Sequence, residues 1–264
     1  MNRPVRLGAV DYLNVRPLVD GLDARPELVS LRFDVPSECA RLLAAGDIDL
    51  GMVPSITLAD RPEDRVVPGV CIGSDGPVAS VALFTRVPLG RIRRIALDTS
   101  SRTSACLVKI LCARRFEIAP TFAPHRPDFS AMLADADAAL VIGDPALFVD
   151  HHALGAEKID LGKAWTDMTG LPFVWAFWSG RSEAATPEVV ALLQSAATSG
   201  MTRTDAIADA YVANIPERAP VARRYLRESL MFDLSPRALE GLRTYYREAA
   251  ALGLIAAAPE VRFF

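Results

Sequence analysis

From Val5 to Val10 the run VRLGAV keeps its apolar residues together in the manner of a buried strand, and the stretch Tyr12 to Pro17 turns out of it into a helix around Leu18 to Leu22. Leu31 to Val35 alternates like a second strand. Pro36, Ser37 and Glu38 then open a helix that runs to Ala45 and is closed by Gly46. Ile48 to Val53 returns as a third short apolar strand. Strands alternating with helices of about ten residues predict an α/β fold, with a parallel sheet covered on its faces. Val78 to Thr85 reads as a further strand, and the Pro/Gly connector Val87 to Gly90 begins a second series. That series is strand Ile95 to Leu97, helix Thr103 to Phe116, strand Ala138 to Ile142 and a helix around Ala146 to Asp150. Leu171 to Trp178 is an aromatic-rich strand suited to crossing back into the first lobe. The remainder is helical: Pro187 to Gly200, Thr202 to Asn214, Pro220 to Leu230 and Pro236 to Gly253, each with a Pro or hydroxylated residue near its start. The pattern predicts a discontinuous first lobe, residues 1–88 and 176–264, interrupted by a second lobe of residues 89–175.

With 264 residues, 51% of them hydrophobic, the chain can bury one large or two modest cores. No run of 18 apolar residues occurs, and Met1 to Gly8 carries Arg3 and Arg6 without a leader-like apolar stretch, so a cytoplasmic protein with no membrane partner is expected. The 29 basic and 32 acidic residues are interspersed, for a formal charge of −3, which supplies no global field for nucleic acid. Four cysteines (Cys39, Cys71, Cys106, Cys112) lack CxxC spacing and read as buried thiols, neither a disulfide framework nor a zinc site. Only His125, His151 and His152 are present, the last two adjacent, so no metal is expected. GxGxxG after a strand, GxxxxGK[ST], GxSxG and HExxH are all missing, which disfavours nucleotide binding and serine or zinc hydrolysis by those routes. No cofactor is expected, and an anionic ligand has to be held by local groups.

The segment Leu97 to Ser104, LDTSSRTS, places Thr99, Ser100, Ser101, Arg102, Thr103 and Ser104 at a strand end that opens a helix. Free N–H groups at a helix start, reinforced by hydroxyls and the helix dipole, make a receptor for carboxylate or phosphate. Ordinary capping is the alternative, yet one hydroxyl would satisfy it and five stand in six residues. Asn14 follows the first strand, where ligands of open α/β sheets sit, and its amide suits a hydroxyl held in one orientation; it also suits a plain turn. Arg16 is free to pair with a carboxylate or to lie on the surface. Ser80 stands near the lobe boundary and either faces the cleft or bonds its own backbone. Ser55 is a similar candidate, with a helix cap as its alternative. Asp144 in LVIGDPAL follows a buried strand like a general base, but Asp-Pro is also the expected N-cap and first-turn pair. His125, in the loop APHRP, has no evident partner and reads as a surface residue.

Taken together and in order, DYLNVRPL, DIDLGMVPS, GPVASVALF, LDTSSRTS, LVIGDPAL, DLGKAWTDMTGLPFVWAFW and the tail FDLSPRALEGLRTYYREAAALGLI resemble the chorismate dehydratase family of the futalosine route to menaquinone. The resemblance spans nearly the whole chain. It implies a two-lobed fold of the type II periplasmic-binding-protein kind with a ligand cleft between the lobes. It also implies a cofactor-free lyase acting on chorismate, with Asn14 at the chemistry and Ser80, Ser55 and the Thr99–Ser104 segment holding the substrate. A sister family, the dihydroxynaphthoate synthase of the same route, carries a CPND-like segment where this chain has Tyr12 to Asn14. Outside the enzymes, a solute-binding protein for an organic anion would use the same cleft. Asp11 departs from the family pattern, in which an uncharged or smaller residue is expected; facing the cleft it would repel a dianion, whereas normal strand alternation points it elsewhere.

Overall fold

The computed structural model describes residues 3–264; Met1 and Asn2, the start of the expected first lobe, lie outside the described residues. β1 (Val5–Val10) pairs in parallel with β2 (Val29–Asp34), and α1 (Pro36–Ala45) leads to β3 (Leu50–Pro54), parallel to β1 on its other side. α1 follows its sequence signals: Pro36 sits in the first turn, where its missing N–H is not needed, and Gly46 ends the helix at φ 75°. The helix expected around Leu18 to Leu22 is instead two 3-10 segments, Leu13–Val19 and Leu22–Ala24. Pro17 lies inside the first and deprives a longer α-helix of a donor.

Two short strands without readable periodicity follow, β4 (Arg65–Val66) and β5 (Ile72–Ser74). The chain then changes lobe. β6 (Val81–Thr85) belongs to the second sheet, with β7 (Arg94–Asp98), α2 (Arg102–Arg114), β8 (Thr121–His125), α3 (Phe129–Asp135), β9 (Ala138–Ile142), α4 (Gly143–Phe148), β10 (Glu157–Asp160) and α5 (Leu161–Thr169) completing that lobe. β11 (Phe173–Gly180) returns to the first sheet, antiparallel to β3, with β4 and β5 paired to it. The strand orders are β2-β1-β3-β11-β4 and β8-β7-β9-β6-β10. Each sheet thus has a central strand with two parallel neighbours, followed by an antiparallel strand that has just arrived from the other lobe.

Two expectations change. The sheets are mixed rather than parallel, because β6 and β11 enter against the grain of β9 and β3. The 78–85 strand, expected in the first lobe, pairs from Val81 onward in the second sheet, and Phe173 to Trp175 already lie in the first. The Pro/Gly connector at 87–90 marks only a turn between β6 and β7. The lobe change occurs at 75–80, where Gly76 (φ 107°) and Ala79 (φ 63°) bend the chain sharply.

The C-terminal part is helical: α6 (Pro187–Thr202), α7 (Thr204–Tyr211), α8 (Ala219–Arg224), which runs into a single π-turn at Tyr225–Ser229, and α9 (Pro236–Ala251). α9 lies on both β11 and α2 and so touches both lobes. Its neighbours Tyr245 and Tyr246 divide the task, the first donating to the Thr103 carbonyl at 3.0 Å and the second to the Ser55 carbonyl at 2.7 Å. One apolar core runs through both lobes and is thickest here, with Trp165, Phe173, Phe177, Trp178, Tyr245 and Tyr246 fully buried. A smaller cluster around Phe84 and Met132 covers the other face of the second sheet. The four cysteines are free thiols, and burial pushes Cys39 up to about 12.

Candidate active site

A cavity of ≈ 590 Å³, open solvent at its mouth included, lies between the lobes at the carboxyl ends of their central strands. Val10 and Pro54 close β1 and β3 on one side and Ile142 closes β9 on the other, while Ser80 and Trp175 come from the two lobe crossings. Open α/β sheets place ligands at this edge because helix starts and unpaired strand ends converge there. Among the described residues no charged side chain lines the cavity; its polar groups are Tyr12, Asn14, Ser80, Ser101, Thr103 and Ser104.

The hydroxyl-rich segment divides. Ser101 caps α2, its Oγ accepting from the Ser104 N–H at 3.3 Å and donating to Ser104 Oγ at 2.8 Å. It therefore both caps and lines the cavity. The N–H groups of Arg102 and Thr103 in that first turn have no partner within the helix. Thr103 reaches across the lobes, accepting from the Ile56 N–H at 3.2 Å. The other three predicted residues of the segment face elsewhere. Thr99 is exposed, Ser100 is tied to the buried Asp98 carboxylate at 2.6 Å, and Arg102 pairs with Asp60 at the surface. Ser55 is not in the lining. It is wholly buried beneath it, donating to the Val174 carbonyl at 2.8 Å, so it fastens a lobe crossing instead of touching a guest or capping a helix with its side chain.

Asn14 projects from the 3-10 helix after β1, and its Oδ1 is buried without a hydrogen-bond partner among the described residues. Tyr12 crosses to the second lobe, where its ring lies against Gly143; a Cβ on that glycine, at φ 66°, would sit 2.7 Å from the ring. Burial raises the Tyr12 phenol, as do the Asp98 and Asp144 charges, against a hydrogen bond from Ser100. Ser80 closes a strained turn. The Asp160 carboxylate accepts from the Val78 and Ala79 N–H groups at 3.0 and 2.7 Å, and Lys158 Nζ donates to the Ala79 carbonyl at 2.5 Å. With that backbone pinned, Ser80 Oγ is 2.6 Å from the Tyr225 hydroxyl.

Asp144 is neither a cap nor part of the lining. α4 starts one residue earlier, at Gly143 with Ile142 before it, so the carboxylate is free to leave its own helix. It accepts from the Leu13 N–H of the other lobe at 3.3 Å and from the Tyr211 hydroxyl at 2.5 Å, a strut between lobes. Burial raises its carboxyl above the ordinary range, while the bonds from Tyr211 and Leu13 oppose the shift. Asp11 points away from the cleft, exposed and paired with Arg16, whose guanidinium lies over the Phe33 ring at 4.5 Å. His125 ends strand β8, where its Nε2 is 3.3 Å from Asp135. Tyr12, Trp175 and Tyr225 are the contributors that residue-by-residue reading missed. Tyr12 stands in a quoted motif, but nothing local distinguishes Tyr225 from a core aromatic.

A family model described as menaquinone biosynthesis matches residues 5–251. A chorismate dehydratase of Thermus thermophilus is 31% identical over 267 residues, covering 96% of each chain. Among solved structures, a protein from Archaeoglobus fulgidus superposes with a TM-score of 0.75 at 14% identity, covering 96% of this chain and 99% of that one. The alkanesulfonate-binding protein of Xanthomonas axonopodis pv. citri, bound to MOPS, superposes with a TM-score of 0.72 at 16% identity, covering 96% and 94%. These likenesses show the two-lobed periplasmic-binding-protein fold. With a matched segment running from β1 to the end of α9, the chain belongs to the menaquinone biosynthesis family.

Proposed function

We propose that the protein is a lyase that dehydrates chorismate to 3-[(1-carboxyvinyl)oxy]benzoate, a step of the futalosine route to menaquinone, without a cofactor. The observation that carries the reading is the pairing of an unsatisfied acceptor, Asn14 Oδ1, with the open N-terminus of α2 in one uncharged cavity. Its relative of 31% identity bears the name of that activity. In chorismate the hydrogen on C3 and the hydroxyl on C4 leave together. The C3–H electrons become the new ring π bond, the C4–O pair departs with oxygen, and that oxygen takes up the proton as water. Aromatisation supplies the driving force.

The residues bind and orient. The first turn of α2, with Ser101, Thr103 and Ser104, receives one carboxylate. Asn14 Oδ1 accepts the proton of the C4 hydroxyl, which turns an oxygen lone pair toward the proton that completes the departing water. Ser80 donates from the lobe crossing. Among the described residues Tyr12 is the only titratable side chain in the lining and its pKa is raised, so the substrate's own enolpyruvyl carboxylate is the base that takes the C3 proton. Closure of the two lobes excludes water from these contacts.

Incubation of the purified protein with chorismate, followed by chromatography and ultraviolet spectra, tests the reading. The expected result is loss of chorismate with formation of the enolpyruvyl benzoate. Chorismate recovered unchanged, with tight binding, would make the protein a receptor instead.

A further inference from the structure

The crossing from the first sheet to the second passes through a turn that disfavours any residue with a side chain. Of the described residues other than glycine, only Ala79 and Glu117 have a positive φ. Glu117 lies on an exposed loop, whereas Ala79, at φ 63°, directly precedes Ser80 of the cavity lining. The Ser80 N–H closes the turn on the Val78 carbonyl at 2.7 Å, which sets Ala79 in the middle of a three-residue turn of the rare, strained hand.

Strain of this kind persists only where its surroundings over-determine it, and every backbone polar group from Val78 to Ser80 is bound. The Asp160 carboxylate spans the turn, one oxygen accepting from the Val78 N–H at 3.0 Å and the other from the Ala79 N–H at 2.7 Å. Lys158 Nζ donates to the Ala79 carbonyl, and the Gly143 N–H at the start of α4 donates to the Ser80 carbonyl at 2.7 Å. The period of a strand puts Lys158 and Asp160 on one face of β10, and the register that sets Asp160 opposite Ala82 brings both to the entry of β6. Asp160 also caps α5, accepting from the Lys163 N–H at 3.0 Å. A cap uses a single acceptor, so the oxygen that meets the Ala79 N–H is surplus to it. We infer that Asp160 is a positioning residue for the site: by bridging the Val78 and Ala79 N–H groups it holds the left-handed turn that aims Ser80 at the guest. The role rests on the proposed dehydration, in which Ser80 is one of the substrate's contacts.

Asp160→Ser separates capping from bridging. Serine caps a helix about as well as aspartate, but its single oxygen cannot also span the turn. Released from the bridge, Ala79 relaxes toward negative φ and carries Ser80 with it. Glycine at 79 takes a positive φ without the bridge, so adding Ala79→Gly should restore what Asp160→Ser removes. Wild-type turnover of chorismate is measured first. If chorismate is bound but not turned over, the dehydratase reading falls and the comparison is made on Kd in place of kcat/KM; a protein that does neither overturns both.

Asp160→Ser is expected to lower kcat/KM roughly tenfold or more, and its combination with Ala79→Gly to return within about threefold of wild type. Because Asp160 acts through Ser80, adding Asp160→Ser to Ser80→Ala should lower kcat/KM by less than about twofold beyond Ser80→Ala alone. Wild-type kcat/KM in Asp160→Ser, no recovery with Ala79→Gly, or fully additive losses with Ser80→Ala overturns the inference. Should Asp160→Ser not fold, its combination with Ala79→Gly carries the test alone: kcat/KM near wild type supports the role, and a tenfold loss or failure to fold overturns it.

Discussion

Leaving the Asn14 carbonyl oxygen buried and unpaired costs the folded chain about 1–3 kcal/mol, a burden that a plain turn residue would not carry. Asn14→Ala should therefore leave stability in urea at or above that of wild type while kcat falls by roughly a hundredfold or more. A variant that unfolds easily yet keeps its rate would return Asn14 to the role of a turn. The sequence holds both readings open, because turns and ligand sites favour the same residue; only burial without a partner separates them. Ser101 shows the opposite outcome, since its capping and cavity-facing roles coexist. Asp144 was illegible for a different reason. Asp-Pro is a local signal, whereas its actual partners, Leu13 and Tyr211, are distant in the chain and brought near only by the docking of the lobes. The excess of hydroxyls at 99–104 stands at a helix that lines the cavity, but which of them face inward depends on the phase of the first turn and on the pull of Asp98 and Asp60.

Elements with their own start and stop chemistry were readable, as α1, α2, α6 and α9 illustrate with Pro in the first turn or a hydroxyl cap. β4, β5 and β10 were not, since two to four residues carry no period and gain their strand character from β11 and β6. α6 also carries a constraint hidden from helix propensity. Gly200 meets the first 3-10 helix so closely that a Cβ would stand 2.0 Å from the Pro17 carbonyl oxygen. Alanine would normally stabilise a helix interior by about 1 kcal/mol over glycine. Here Gly200→Ala should instead destabilise by about 1–3 kcal/mol, because backbone has to move to admit the methyl group. Gly90→Ala, with nothing within 4 Å, should stay within about 0.5 kcal/mol. Equal urea midpoints for the two variants would show that α6 and the 3-10 helix part easily.

Two lobes were foreseeable from the alternation of strands and helices, but the core they share and the point of crossing were not. A Pro/Gly connector looks the same whether it joins strands of one sheet or of two. What holds the lobes together includes the Asp144 strut, and its titration gives a test at the scale of the whole chain. A carboxyl raised above its ordinary 3.8 binds its proton more tightly when folded. The stability it contributes is complete below that value and is lost as pH rises through the folded value. Asp144→Asn should thus lose less stability than wild type between about pH 3.5 and pH 7, read from urea midpoints; parallel curves would mean that the strut titrates alike in both states. The make-up of the cavity wall has a consequence for selectivity. With no formal charge on it, added electrolyte finds nothing to mask, and KM for chorismate should vary less than about twofold between about 0.05 and 0.5 M sodium chloride. Such a wall weighs the placement of a guest's oxygens above its valence, so a monoanion of the right outline should compete where a dianion of the wrong outline does not.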